Sequence, residues 1–229
     1  MALYDRDYTQ QQTQAQEQVG SNVAFMKKTY QLLAASMVAA AAGAYATMPY
    51  ADVIMQYKWF IFGAELLILF FGLSLSRGKP GVNLAMLFLF TFLTGVSLVP
   101  LLASLIGAGD GAVIGNAFLM TSVLFGALSL FAINSKSDYS SWGKPLFITL
   151  IVVIVASLIN IFFLQSPIMH VIITAGILLL FGIFTIYDTQ NIANGAYDSE
   201  VDAAVSLYLD FLNMFTAILQ LLGIFGGDD

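Results

Sequence analysis

The chain has no cysteine, one histidine and little charge, with 8 Lys+Arg and 14 Asp+Glu among 229 residues. Without cysteine there can be no disulfide scaffold, Cys-ligated zinc site, iron–sulfur cluster or cysteine nucleophile. One histidine excludes a multi-histidine metal site within one chain. So few cations, at a formal net charge of -6, exclude a compact nucleic-acid binder. Charged residues make up 10% of the chain, where soluble domains carry roughly 25%. A soluble fold could not cover itself with so few.

What fills the chain is apolar: 59% of residues are hydrophobic and the mean hydropathy is +0.85. A helix crossing the hydrocarbon needs about 20 residues. Seven runs of that kind lie at about 29–48, 59–75, 82–106, 112–133, 145–164, 167–187 and 203–225. The breaks between them carry turn chemistry, as in Met48-Pro49, Arg77-Gly78-Lys79-Pro80-Gly81 and Gln165-Ser166-Pro167. No barrel-type alternation occurs, so the expected fold is an all-α membrane protein. Residues 1–24 are polar and glutamine-rich and read as a disordered cytoplasmic tail. Residues 25–229 then form a single transmembrane domain. The tail lacks the charged, apolar, small-residue order of a cleavable signal, so the first run reads as a retained span.

Lys and Arg set the orientation. Arg6, Lys27, Lys28, Arg77, Lys79, Lys136 and Lys144 fall on one side of a seven-span chain, and Lys58 alone on the other. This predicts a cytoplasmic N-terminus and an outside C-terminus; six spans would put both ends inside but require demoting one run, of which 203–225, interrupted by Asp210, Asn213 and Gln220, is the weakest.

Ionisable residues inside a span are costly and face the bundle interior or a water path. Four stand out: Glu65, His170, Asp188 and Asp210. In the last run Ser206, Asp210, Asn213, Ala217 and Gln220 recur at helical spacing on one face. A polar stripe of that length does not suit lipid, so the seventh span should be central and enclosed. His170, Thr174, Thr185 and Asp188 share one face of the sixth span, and Ser199 is positioned to cap the seventh. Asp188 and Asp210 could then meet near the cytoplasmic half; the alternative is that each bonds a separate hydroxyl or Arg. Glu65 can line a path or snorkel outward. Arg77 can latch the carboxylates or anchor the topology. His170 reads as an interfacial residue. Thr91, Thr94 and Ser97 in the third span can line a cavity or bond their own helix.

The chain is not expected to be an enzyme. No Lys follows Lys144, so a Schiff-base opsin is excluded. Ser97 and His170 are the only material for an intramembrane serine protease, and its motif is incomplete. For an aspartyl protease Tyr187-Asp188 matches half of the required pair, but Tyr208-Leu209-Asp210-Phe211 departs from the other half.

Two C-terminal segments, Ile186-Tyr187-Asp188-Thr189-Gln190-Asn191-Ile192 and Ser206-Leu207-Tyr208-Leu209-Asp210-Phe211-Leu212-Asn213-Met214-Phe215, resemble the signature of the Bax inhibitor-1 family. The short tail and compact length resemble its bacterial members. The resemblance implies six helices around a central seventh, in a bacterial inner membrane. It also implies a pH-sensitive calcium leak, with calcium as the transported ion and no cofactor. An aspartate from each motif forms a proton-sharing pair, here Asp188 and Asp210, which would also be a transient calcium site. The family's acid in the second span matches Glu65. Its latching arginine matches Arg77 one residue out of register. Ser206, Asn213, Gln220 and Thr185 join Glu65 as candidate path-lining groups. Other relatives restrain a membrane-bound ATP-dependent protease, which makes a non-conducting regulator with a membrane-protein partner the rival reading.

Overall fold

The computed structural model describes the backbone of residues 2–225 and the side chains of residues 20–224. Residues 226–229, and with them the expected position of the C-terminus, lie outside the described residues. Helix makes up nearly all of the structure, with no strand among the described residues. Among the described residues, six helical stretches are long and apolar enough to cross a membrane: Gly20–Leu75, Pro80–Gly107, Gly111–Asn134, Ser140–Leu164, Pro167–Ala193 and Glu200–Ile224.

The first stretch is 56 residues long and has two legs. Helix α1 (Ala2–Thr47) ends where Pro49 enters a 3-10 turn, Met48–Tyr50. Helix α2 (Ala51–Leu67) follows, prolonged by a π-turn, Ile68–Gly72, and a last α-turn, Leu73–Leu75. α3 (Pro80–Gly107) touches both legs. Its Gly95 packs on Ala40 of α1, while its Asn83 bonds the Leu73 carbonyl at 3.1 Å. Those two points are about 18 Å apart along α3, but about 50 Å apart along α1 and α2 if that chain ran straight. The chain therefore turns back on itself at Pro49.

α4 (Gly111–Asn134), α5 (Gly143–Ile159, prolonged by a π-turn, Asn160–Leu164), α6 (Pro167–Ala193) and α7 (Glu200–Phe225) complete the chain. Each boundary has a local cause. Asn83 also donates to Ser76 Oγ at 2.9 Å, closing the turn into α3 around Gly78, whose φ is 79°. Gln165 takes a left-handed φ of 47°, then Ser166 caps α6 by accepting from the Met169 N–H at 3.3 Å, with Pro167 at the first helical position. Gly195, at φ 73°, ends α6 in the left-handed conformation that a C-terminal cap requires. Ser199 Oγ accepts from the Asp202 N–H at 3.3 Å and caps α7, as its position before the last run suggested.

Helices in a membrane gain little from excluding water from one another, so close backbone approach and van der Waals contact hold them together. α1 and α3 show this at their crossing. A Cβ on Gly43 would collide with the Phe92 carbonyl, and one on Gly95 with the Ala40 carbonyl. α7 is tied to α4 by edge-on aromatic pairs: Phe211 to Phe118 at 5.7 Å and to Phe125 at 5.6 Å. No residue of α7 from Val201 to Gly223 is exposed, so the last run is the enclosed one, as its polar stripe required. α1, α4 and α6 pack along α7, and α3 touches it more lightly. α5 reaches the bundle through α6.

Hydropathy placed the apolar runs well and their ends less well. α2 begins at Ala51, earlier than the run at 59, because Gln56, Tyr57 and Lys58 are compatible with helix though not with hydrocarbon. α6 continues six residues past 187, through Asp188, Thr189, Gln190 and Asn191, which are all buried. Helix α1 also extends back to Ala2, through the stretch that composition assigned to a disordered tail. Gln, Ala and Glu are good helix formers, and no proline interrupts them there.

Candidate functional site

The basic loops gather at one end of the bundle. Lys28 of α1 pairs with Glu200 at 3.0 Å, and Arg77 pairs with Asp202 at 2.9 Å. Asn22 of α1 donates to the Ala193 carbonyl at 3.2 Å. Gln190 accepts from the Tyr139 N–H at 2.6 Å and donates to the Ser137 carbonyl at 2.8 Å, holding the α4–α5 loop to the end of α6. This end therefore collects Lys27, Lys28, Arg77, Lys79 and Lys136, the grouping that the loop charges called for.

A pocket of about 670 Å³ opens at this end, lined by Lys28, Arg77, Asn83, Tyr197, Glu200 and Asp202 among others. Tyr197, in the loop between α6 and α7, forms its inner wall. The Tyr197 phenol lies 2.8 Å from Asp188 Oδ1 and 3.0 Å from Ser206 Oγ. A phenol has one proton. The carboxylate is the stronger acceptor, so Tyr197 donates to Asp188 and the Ser206 hydroxyl donates to Tyr197. Burial, with the Asp188 charge beside it, pushes the Tyr197 phenol above its ordinary range, so it stays a donor.

Behind Tyr197 the two acids meet. Asp188 of α6 and Asp210 of α7 are 7% and 2% exposed and are neighbours in the core. Asp210 Oδ2 has no N–H or O–H partner. Asp188 arrives here because α6 runs on past the hydropathic boundary, and Asp210 because it lies nearly three turns into α7. Thr185, one turn before Asp188, donates to the Phe181 carbonyl at 2.8 Å and has Met214 Sδ 3.5 Å away. Its hydroxyl is spent on its own helix.

The other candidates are placed apart from this pair. Arg77 is on Asp202, not on Asp188 or Asp210. Glu65 is buried on α2 and accepts a hydrogen bond from Ser97 of α3. Thr94 of α3 hydrogen-bonds the Tyr208 hydroxyl of α7, which lies 3.4 Å from the Thr91 carbonyl. The α3 hydroxyls thus bond across to other helices as well as along their own. Asn213 donates to the Leu209 carbonyl of its own helix at 2.7 Å. Gln220 lies at the opposite end, beside His170, around a small cavity of about 270 Å³.

Sequence reasoning missed Tyr197. It sits in a polar loop with no helical register to place it, and only its position between the two motifs hints at it. Tyr208 lies inside the second motif, and its signal in the sequence is an aromatic hydroxyl two residues before Asp210.

Residues 22–227 match the family described as "Inhibitor of apoptosis-promoting Bax1". A Helicobacter pylori protein is 49% identical over 233 residues, covering 100% of both chains. An uncharacterised membrane protein of Vibrio cholerae is 37% identical over 210 residues, with 89% of this chain and 91% of that protein covered. A Golgi anti-apoptotic protein of vaccinia virus is 32% identical over 228 residues, covering 95% of this chain and 92% of the viral one.

Proposed function

The chain belongs to the Bax inhibitor-1 family, and on that premise we propose that it is a proton-controlled leak for calcium or a similar cation, and not an enzyme. The observation that supports the reading is the neighbouring pair of buried carboxyls, Asp188 and Asp210, with Tyr197 between Asp188 and a pocket rimmed by Lys28, Arg77, Glu200 and Asp202. A proton shared between them supplies the donor that Asp210 Oδ2 otherwise lacks. Two carboxylates this close cannot both ionise without strong repulsion, so the pair titrates as a unit. Ionised, it offers calcium the oxygen ligands it prefers. The set is small, as suits an ion that must leave again.

In this reading the two legs of the first stretch are separate spans, giving seven crossings with α7 in the middle. The basic end faces the cytoplasm, following the Lys/Arg asymmetry, and the opposite end faces out. Tyr197 is the cytoplasmic cover of the pair. Arg77 latches indirectly, holding Asp202 and with it the first turn of α7. Ser206 supports Tyr197, and Glu65 with Ser97 forms a second polar station on the way to the outer end.

Acid has two opposed effects here. A further proton removes the charge that holds the Tyr197 bond and loosens the cover, and it also weakens the calcium ligands. Flux should therefore peak at mildly acidic pH. The test is calcium flux into liposomes containing only the purified chain. Flux that rises from neutral to mildly acidic pH supports the proposal. No flux at any pH overturns it and leaves the regulator of another membrane protein, such as an ATP-dependent protease, as the function. The name of the viral relative, a Golgi anti-apoptotic protein, is compatible with either outcome.

A further inference from the structure

α1 and α4 both pack on α7 with little contact between them among the described residues, which leaves a gap in the wall of the bundle. A groove of about 620 Å³ occupies its basic half, bounded by Lys27, Tyr30 and Met37 on α1, by Gly126 and Ile133 on α4, and floored by Phe211 of α7. Along α1 it extends from Met26 to Met37, about 16 Å. That is half of the roughly 30 Å hydrocarbon thickness, the depth of one leaflet. A second apolar groove of about 430 Å³ continues past Met37 and Phe211 toward Gly115. A Cβ added at Gly126 or Gly115 would meet nothing within 4 Å, so the space is open and not a packing seam.

Charge marks the basic mouth of this gap. Lys27 is exposed and has no ion pair among the described residues, whereas Lys28 beside it is held by Glu200. On the other wall Lys136 follows three residues after Ile133 and is likewise exposed without an ion pair among the described residues. The nearby Asp138 is occupied, accepting from the Ser140 N–H at 2.8 Å.

We infer that this gap is a phospholipid site, in which one acyl chain lies on Phe211 and an anionic headgroup phosphate is held by Lys27 at the basic mouth. An apolar slot one leaflet deep, open sideways, ending in a cation, has the layout of a single lipid of that leaflet. A concave slot between two helices suits a thin chain better than the convex face of a second copy. The site also borders the carboxyl pair. Phe211 directly follows Asp210, and the hydroxyl of Tyr30 lies 3.4 Å from Thr189 Oγ1, next to Asp188 in sequence. A lipid here is positioned to bias the pair from the membrane side.

The test is native mass spectrometry of the full chain in mild detergent, titrated with phosphatidylglycerol or with phosphatidylcholine of the same chains. The wild type should retain one phosphatidylglycerol in preference to phosphatidylcholine. Lys27→Gln should reduce that preference about five-fold, the factor expected from one cation at a membrane surface, and leave phosphatidylcholine binding alone. Gly126→Phe should fill the slot and lower retention of both lipids, while Gly115→Phe, beyond the bilayer midplane, should change neither. The melting temperature in detergent checks that the variants fold. Unchanged lipid selectivity in Lys27→Gln together with unchanged retention in a folded Gly126→Phe overturns the proposal. A Gly126→Phe chain that changes its oligomeric state but keeps its lipids also overturns it, because the groove would then be covered by a second copy.

Discussion

Tyr197→Phe isolates the cover from the pair. The ring stays, so the loop between α6 and α7 keeps its packing, and only the hydroxyl between Asp188 Oδ1 and Ser206 Oγ is lost. A hydrogen bond to a charged group contributes about 1.5–3 kcal/mol. Tyr197 is only partly buried, so the lower half of that range applies. At 1.36 kcal/mol per pH unit, the loss corresponds to a shift of about one unit in the pH at which the pair switches. The sign follows from what the phenol favours. It donates to the ionised carboxylate, so its removal makes the charged pair harder to reach, and protonation is complete at higher pH. The midpoint of the flux–pH curve should therefore move up by about one unit. The assay is dye-reported calcium uptake by liposomes, run from neutral to mildly acidic pH. A midpoint that stays in place in Tyr197→Phe, while wild-type flux remains pH-dependent, would refute the coupling of the phenol to the pair.

Gly95→Ala places a methyl group against the Ala40 carbonyl and forces α1 and α3 apart; overpacking of this kind costs about 1–3 kcal/mol, to be read as a lower melting temperature in detergent. Arg77→Ala removes an exposed ion pair with Asp202 that contributes at most about 1 kcal/mol to stability, so the melting temperature should hardly move while basal flux rises, and high salt should mimic the change in the wild type. The chain lacks cysteine, so single Cys reporters are clean: a Cys at position 227 should react with an impermeant thiol reagent in intact cells and one at position 12 should not, with the reverse pattern contradicting the orientation.

Much of the fold could be read from the sequence because a membrane imposes one strong rule, that a crossing needs a long apolar helix. The runs at 82–106 and 112–133 match α3 and α4 within two residues at each end. The rule fails where helix and hydrocarbon part company. The end of α6 is polar yet buried, since its partners are other helices and not lipid, and that extension is what carries Asp188 into the core. The helical spacing of Ser206, Asp210 and Asn213 correctly pointed to an enclosed α7. It could not tell which of those side chains would be spent on their own helix, as Asn213 is. Long-range pairings such as Arg77 with Asp202 and Tyr197 with Asp188 depend on how two loops fold over one end, and no periodicity encodes that.

The central claim is that Asp188 and Asp210 act as one titrating unit that controls a cation path. Asn has nearly the shape of Asp and cannot titrate, so Asp188→Asn, Asp210→Asn and the double variant, compared in the liposome flux assay across pH, test it most directly. Each single change should flatten the pH dependence, and the double change should add little to either, because groups in one network are not additive. Wild-type pH profiles in both single variants would contradict the claim.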